Sequence, residues 1–219
     1  MREHDSEPVR GLPERPPAGE TVLWQGSPQW RVMARRAFHI RMVAVYLGAL
    51  WLWLAASTLS GGQAGATVLW QAEMLAGNLA LGLTALGLIA LFCWLVQRTT
   101  IYTVTNRRIV IRFGIALPLT VNVPFAIVAG AGVTADRDGS GDIALALLPA
   151  KRVSYPIMWP HARPWKLSRA EPMLRGLPDA VRAAQVLSRA LAASAAQTAP
   201  SLPNAATAGT EAVSVAAVA

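Results

Sequence analysis

One cysteine in 219 residues leaves no partner for an intramolecular disulfide and too few thiols for a cysteine-rich metal centre. That residue, Cys93, lies inside an apolar run, so nothing in the chain asks for an oxidising compartment. Histidine is nearly as scarce. His4, His39 and His161 share no i, i+3 or i+4 spacing, which leaves no zinc site to be read. There is no glycine-rich phosphate loop, nucleophile elbow or paired acid, so no enzyme and no catalytic residue is expected. The first forty residues are charged and proline-rich and lack the apolar core of a cleavable signal, so the first apolar helix is expected to direct insertion itself.

The most informative absence is positional. Of the 20 Lys and Arg, seven lie in residues 1–41 and thirteen in residues 98–219; residues 42–97 have none. A mean hydropathy of +0.37, with eight tryptophans, is high for a soluble chain of this size. Met42–Leu59 carries no charge over eighteen residues, close to the ~20 that a helix needs to cross ~30 Å of hydrocarbon. Leu75–Val96 is a second and stronger uncharged run. In both, apolar residues surround the whole helix without a single stripe, the pattern suited to lipid on every side. Gly48, Gly77, Gly82 and Gly87 offer places where the two helices could approach closely.

Arg and Lys are retained on the cytoplasmic side of a membrane, which orients the pair. Arg31, Arg35, Arg36 and Arg41 precede the first run; Arg98, Arg107, Arg108 and Arg112 follow the second. The connection Ser60–Met74 carries only Glu73, with Trp70 as a candidate outer anchor. Both termini are therefore expected in the cytoplasm. Arg31, Arg35, Arg36, Arg41 and Arg98 sit where anionic headgroups attract each cation by about 1 kcal/mol. Lipid accounts for these arginines without nucleic acid.

From Thr99 the composition turns to strand: TTIYTVTNRRIVIRFG alternates Thr, Ile, Val and Tyr around a turn at Asn106-Arg107. Pro118 and Pro124 confine the next strand to an edge. Asp136–Asp142 reads as a hairpin loop; its three aspartates lack the twelfth-position glutamate of a calcium loop. Further strands are expected at Ile143–Leu148 and Arg152–Met158, then an irregular proline-broken segment, Trp159–Leu167. A closing helix spans 177–191, with Leu177, Ala180, Val181, Ala184, Leu187 and Leu191 on its inner face. This order predicts an α+β membrane protein. Its parts are an N-terminal cytoplasmic segment (1–41), a transmembrane hairpin (42–97), a small cytoplasmic pleckstrin-homology-like β-barrel capped by the helix (98–193) and a disordered tail (194–219).

The segments Glu20–Pro28 and Tyr102–Arg108, flanking the hairpin, resemble the bacterial membrane-flanked pleckstrin-homology family. Arg35–Arg41, Thr105–Phe125, Gly141–Leu145 and Trp159–Arg175 are similar, more specifically, to the PuhB-type photosynthetic complex assembly proteins of purple bacteria, encoded beside the reaction-centre H subunit. The similarity covers residues 11–192. It implies a non-enzymatic factor in the inner or intracytoplasmic membrane that helps assemble the reaction centre and its core light-harvesting complex. The implied partners are the subunits of those complexes, with anionic lipid headgroups and a second copy of the chain as further contacts. The alternative is a lipid-associated or stress-related module with no photosynthetic role. Trp159, His161, Arg163 and Trp165 make a rigid aromatic segment of the kind enriched at interfaces; the equal alternative is that both tryptophans fill the barrel and its membrane-facing rim. His39, between Phe38 and Ile40 at the membrane edge, is able to ligate the magnesium of a bacteriochlorophyll; the plainer reading as an interfacial polar residue is preferred, and no cofactor is expected.

Overall fold

The computed structural model describes residues 11–12, 14–61, 67–115, 117–148, 154–166, 168 and 170–198. Two long apolar helices separate a short N-terminal portion from a β-rich domain. The first of these, α2 (Ile40–Leu59), follows a seven-residue helix, α1 (Trp30–Arg36); the second, α3 (Val68–Thr99), is 32 residues long. Both α2 and α3 are long and apolar enough to cross a membrane. They extend the two uncharged runs outward at both ends, except at Leu59. The connection is correspondingly shorter than expected: Trp70 and Glu73 lie on α3, whose first turn is capped by the Thr67 hydroxyl accepting from the Trp70 N–H at 3.3 Å.

α2 and α3 run antiparallel, fastened where the Trp51 indole donates to the Leu75 carbonyl at 3.0 Å. Glycine is not what brings them together. A Cβ placed on Gly48, Gly77, Gly82 or Gly87 meets no atom within 4 Å, and Gly48 and Gly82 instead border a seam cavity of about 170 Å³.

A single residue, Thr100, separates α3 from β2 (Ile101–Thr105). β2 pairs with β3 (Arg108–Phe113) across the anticipated Asn106-Arg107 turn, and β3 pairs with β4 (Leu119–Pro124), all antiparallel. The other neighbour of β2 is unexpected. β1 (Val22–Gly26), from the N-terminal segment, adds antiparallel to it, giving a four-stranded sheet in the order β1-β2-β3-β4. The domain therefore does not begin at residue 98, because it takes a strand from before the hairpin. That register is tied at the turn: the Thr21 N–H donates to the Asn106 side-chain oxygen at 3.1 Å, and the Asn106 amide donates to the Gly19 carbonyl at 2.9 Å. Arg108 adds two hydrogen bonds to the buried Glu20 carboxylate, at 2.8 and 3.1 Å.

A 3-10 turn at Phe125–Ile127 leads to a second sheet, ordered β5 (Val128–Ala135), β6 (Gly141–Leu147), β7 (Met173–Leu177). Among the described residues no strand pairing joins the two sheets, so the expected closed barrel is replaced by two sheets around one core. Pro124 ends β4 without an N–H to offer, and β5 pairs on one side only. Two elements differ from the pattern read earlier. Tyr155–Met158, expected as strand, is a helical turn, α4, with proline in its first turn where the missing N–H is harmless; residues 152–153 lie outside the described residues. Leu177 closes β7, and the last helix, α5, runs Ala180–Thr198, into the first residues of the segment expected to be disordered.

Ala180, Ala183, Leu187 and Ala190 form the buried face of α5, whereas Val181 is 43% exposed. The face is thus rotated from the one expected, because small alanines let the helix lie close against β5 and β6. Tyr102, Ile109, Ile111, Ile143, Leu145, Leu174 and Leu187 fill the core between helix and sheets.

Candidate functional site

The segment Trp159–Trp165 leaves α4 with a cis Trp159–Pro160 peptide and then runs beside the chain entering β7. Ala162 bridges Pro172, the Arg163 N–H donates to the Glu171 carbonyl at 2.9 Å, and the Met173 N–H donates to the His161 carbonyl at 2.7 Å. Along this stretch His161 and Ala162 are buried, whereas Arg163, Trp165 and Lys166 are exposed. His161 goes inward and is fully buried, so the expectation that it meets a partner is corrected. Its ring is edge-on to Tyr102, its Nδ1 is 2.9 Å from the Tyr102 hydroxyl, and its Nε2 is 3.3 Å from the Thr100 hydroxyl. The Tyr102 hydroxyl also accepts from the Arg175 N–H at 3.1 Å. Burial, with the Arg175 charge adding to it, pushes the His161 imidazole down to about 3, so it is a neutral structural pin where α3, β2 and β7 meet.

Arg163, Trp165 and Lys166 go outward. Glu171 holds Arg163 at 2.8 Å and Lys166 at 3.3 Å. Partial burial alone would raise the Glu171 carboxyl, but the hydrogen bonds and charges of Arg163 and Lys166 outweigh it and hold the group below its ordinary value. Above this clamp Trp165 is 94% exposed, with its backbone in the left-handed region at φ 65°. A bulky residue there costs of order 1–3 kcal/mol, and in Trp165 no burial of the indole offsets it. Trp159 faces the long helices: it is half exposed and packs on Phe92 at 5.4 Å and edge-on to Phe38 at 6.1 Å.

The arginines read together as lipid contacts separate into two sets. Arg31 lies over Trp30, Arg98 lies over Trp94 at 4.8 Å, and Arg31, Arg41 and Arg98 are exposed. Arg35 and Arg36 are instead taken by the β5–β6 loop, which corrects their assignment. Arg35 reaches Asp138 at 3.0 Å and Asp136 at 3.3 Å; Arg36 reaches Asp142 at 3.0 Å and also pairs with Asp136. Hydrogen bonds from Ser140, then Arg35, hold the Asp138 carboxyl at about 2. Burial would lower the Arg36 guanidinium, but the hydrogen bonds it donates to Asp142 and Asp136 raise it on balance. The other Asp142 oxygen accepts from the Gly176 N–H at 2.7 Å.

α1, which carries this pair, was missed as an element because seven residues are too few for a periodicity signal. Its Trp30 N–H donates to the Gln97 side chain of α3 at 2.7 Å, and Met33 and Ala34 are buried against Cys93 and Val96. Gly176, at φ 69°, lets β7 approach closely: a Cβ there would stand 3.2 Å from that of Met33. α1 thus joins the helical hairpin to the second sheet. His39, at the sharp bend between α1 and α2, is exposed with φ 49°.

Residues 36–191 match a protein family described as bacterial PH domain. The chain is also 36% identical over 196 residues, 87% of its own length and 89% of the relative's, to a Rhodobacter capsulatus protein described as an uncharacterized 23.7 kDa protein in the puhA 5′ region. No solved structure matches the chain significantly. The chain belongs to the bacterial PH domain family.

Proposed function

We propose that the chain is a non-enzymatic, two-span protein of the inner or intracytoplasmic membrane that helps assemble the photosynthetic reaction centre and its core antenna. The observation that carries this reading is the relative from the puhA 5′ region, matched over nearly the full length of both chains. It agrees with the PuhB-type motifs, whose family is encoded beside the reaction-centre H subunit. On this reading α2 and α3 form the membrane hairpin, both termini are cytoplasmic, and the PH-like domain stands on the cytoplasmic side. Arg31, Arg41 and Arg98 meet anionic headgroups, and Trp165 with Arg163 meets a reaction-centre or antenna subunit.

Deleting the gene in its phototrophic host tests the role. Reaction-centre and core-antenna absorbance should fall and return when the gene is supplied in trans. Unchanged absorbance would favour a lipid-associated module with no photosynthetic role. Trp165→Ala combined with Arg163→Ala should abolish co-purification of those subunits while leaving the thermal melt in place. Undiminished co-purification would remove this surface as the contact.

A further inference from the structure

The β3–β4 hairpin ends in Gly114–Leu119, GIALPL, an uncharged tip. Leu117 is 76% exposed there, and Ile115 and Leu119 are about two-fifths exposed. Gly114, at φ 130°, makes the tip tight, since a Cβ on it would fall 1.9 Å from the Leu117 carbonyl oxygen. The opposite end of the same hairpin is the polar Asn106-Arg107 turn, about 20 Å away along the six residues of β3. One end of the hairpin is thus suited to water and the other is not.

The apolar end lies beside the inner part of α3. A cleft of about 150 Å³ between them is bordered by Phe92 and Val96 on one side and by Phe113, Ile115, Trp159 and Pro160 on the other. Its depth follows from helix pairing. Ile40, the first residue of α2, packs in the same cluster as Ile89 and Phe92. The 20 residues of α2 are about 30 Å long, the thickness of the hydrocarbon layer, so the inner edge of that layer lies near Ile40 and Ile89. Phe92 is three residues, about 4.5 Å, farther along α3, inside a headgroup layer of roughly 5–8 Å. Ile115 and Trp159, which border the cleft with Phe92, come to the same layer. Arg41 is exposed at that level, and Arg98 folds back over Trp94 toward it, the mixture of aromatic and cationic groups that a membrane interface favours.

We propose that the β3–β4 tip and Trp159 form an apolar footing seated in the inner headgroup layer of the bilayer, so that the PH-like domain lies on the membrane and does not hang from α3 alone. This rests on the reading of α2 and α3 as membrane spans. The footing is an interaction surface for phospholipid, with the side chains of Ile115, Leu117 and Trp159 reaching the acyl boundary and the exposed arginines around them meeting phosphate. Leu117, whose exposure the fold leaves unexplained, is its deepest point.

Full-length protein with Cys93→Ala, carrying a single fluorophore at Leu117→Cys, Arg107→Cys or Leu81→Cys, should be reconstituted into vesicles of mixed zwitterionic and anionic phospholipid. Leu117 and Arg107 are exposed, so neither label disturbs the core. A nitroxide placed high on the acyl chain should quench the label at 117 at least about twofold more than the label at 107, and aqueous iodide should show the reverse order. The label at 81 should respond most to a nitroxide near the chain end. A label at 117 that behaves like 107, while 81 is quenched in the lipid, overturns the footing and leaves the spans intact. Protection at 117 from both quenchers assigns the tip to a protein contact with a second copy and also overturns it. No lipid quenching at 81 removes the spans and the footing together.

Discussion

Side chains of the same chemistry are disposed in opposite ways in the helical hairpin and in the β domain. Val45, Trp53 and Leu81 on the long helices are about seven-tenths exposed, while Ile109, Leu145 and Leu174 in the sheets have no exposed surface. The domain supplies its own apolar surroundings, and its burial is internal. The hairpin does not: α2 has no buried residue, and α3 buries only Cys93 and Val96, where α1 covers it. Both helices are long and apolar enough to cross a membrane. Polar groups follow the same division, with the domain pairing Glu20, Asp142 and Glu171 to arginines and the hairpin returning Ser57, Thr58 and Thr84 hydroxyls to its own backbone carbonyls.

Mutations that break this comparison fall in order of size. Leu187→Asp places an unpaired charge at a position 1% exposed and should destabilise the domain by roughly 4 kcal/mol, read from the melt of the detergent-solubilised protein. Asp142→Ala leaves the half-buried Arg36 and the Gly176 N–H without their shared acceptor and should cost about 3 kcal/mol. A melt unchanged by Asp142→Ala would mean that α1 is not held to the second sheet as described.

Acidification comes next. In the folded protein His161 is held near 3, well below an unfolded histidine, so the unfolded chain binds the extra proton. Its contribution is present above about pH 6.5 and is lost as pH falls toward 3; between pH 7 and pH 5 the loss should be about 2 kcal/mol. His161→Asn should melt lower at pH 7 and show a flatter dependence over that window. An unchanged slope would place the titration elsewhere. At the small end, Arg189→Ala on the exposed face of α5 should shift stability by less than about 0.5 kcal/mol. A larger loss there would mean that the outer face of α5 is covered.

Both long helices, the β2–β3 hairpin, its turn and the existence of a closing helix were legible because each is set by local composition: uncharged length, alternation or an amphipathic period. What escaped was decided at a distance. β1 is a strand only because β2 lies beside it, with Asn106 fixing the register from 85 residues away. The buried face of α5 followed small alanines rather than the larger Val181. In the candidate site, Trp165 and Arg163 are exposed while Trp159 packs toward the long helices, so the segment divides between the two readings given for it. The inward turn of His161 was not legible, because it is set by contacts with the Tyr102 and Thr100 hydroxyls, 59 and 61 residues earlier in the chain. Arg35 and Arg36 were indistinguishable from Arg31 and Arg41 until three aspartates were brought to them by the fold.

The junction between α3 and β2 has a mechanical consequence. Helix and strand are separated by Thr100, whose N–H still bonds back to the Val96 carbonyl at 3.0 Å and whose hydroxyl meets His161. There is no swivel at this point, and α1, tied to Gln97 below and to the β5–β6 loop above, braces it from the side. Helix and domain therefore turn as one lever. A 5-residue strand reaches about 17 Å beyond the junction, so a ~20° change in the tilt of α3 sweeps the Asn106-Arg107 turn through about 6 Å. Whatever sets the tilt of the helix also aims the face of the domain.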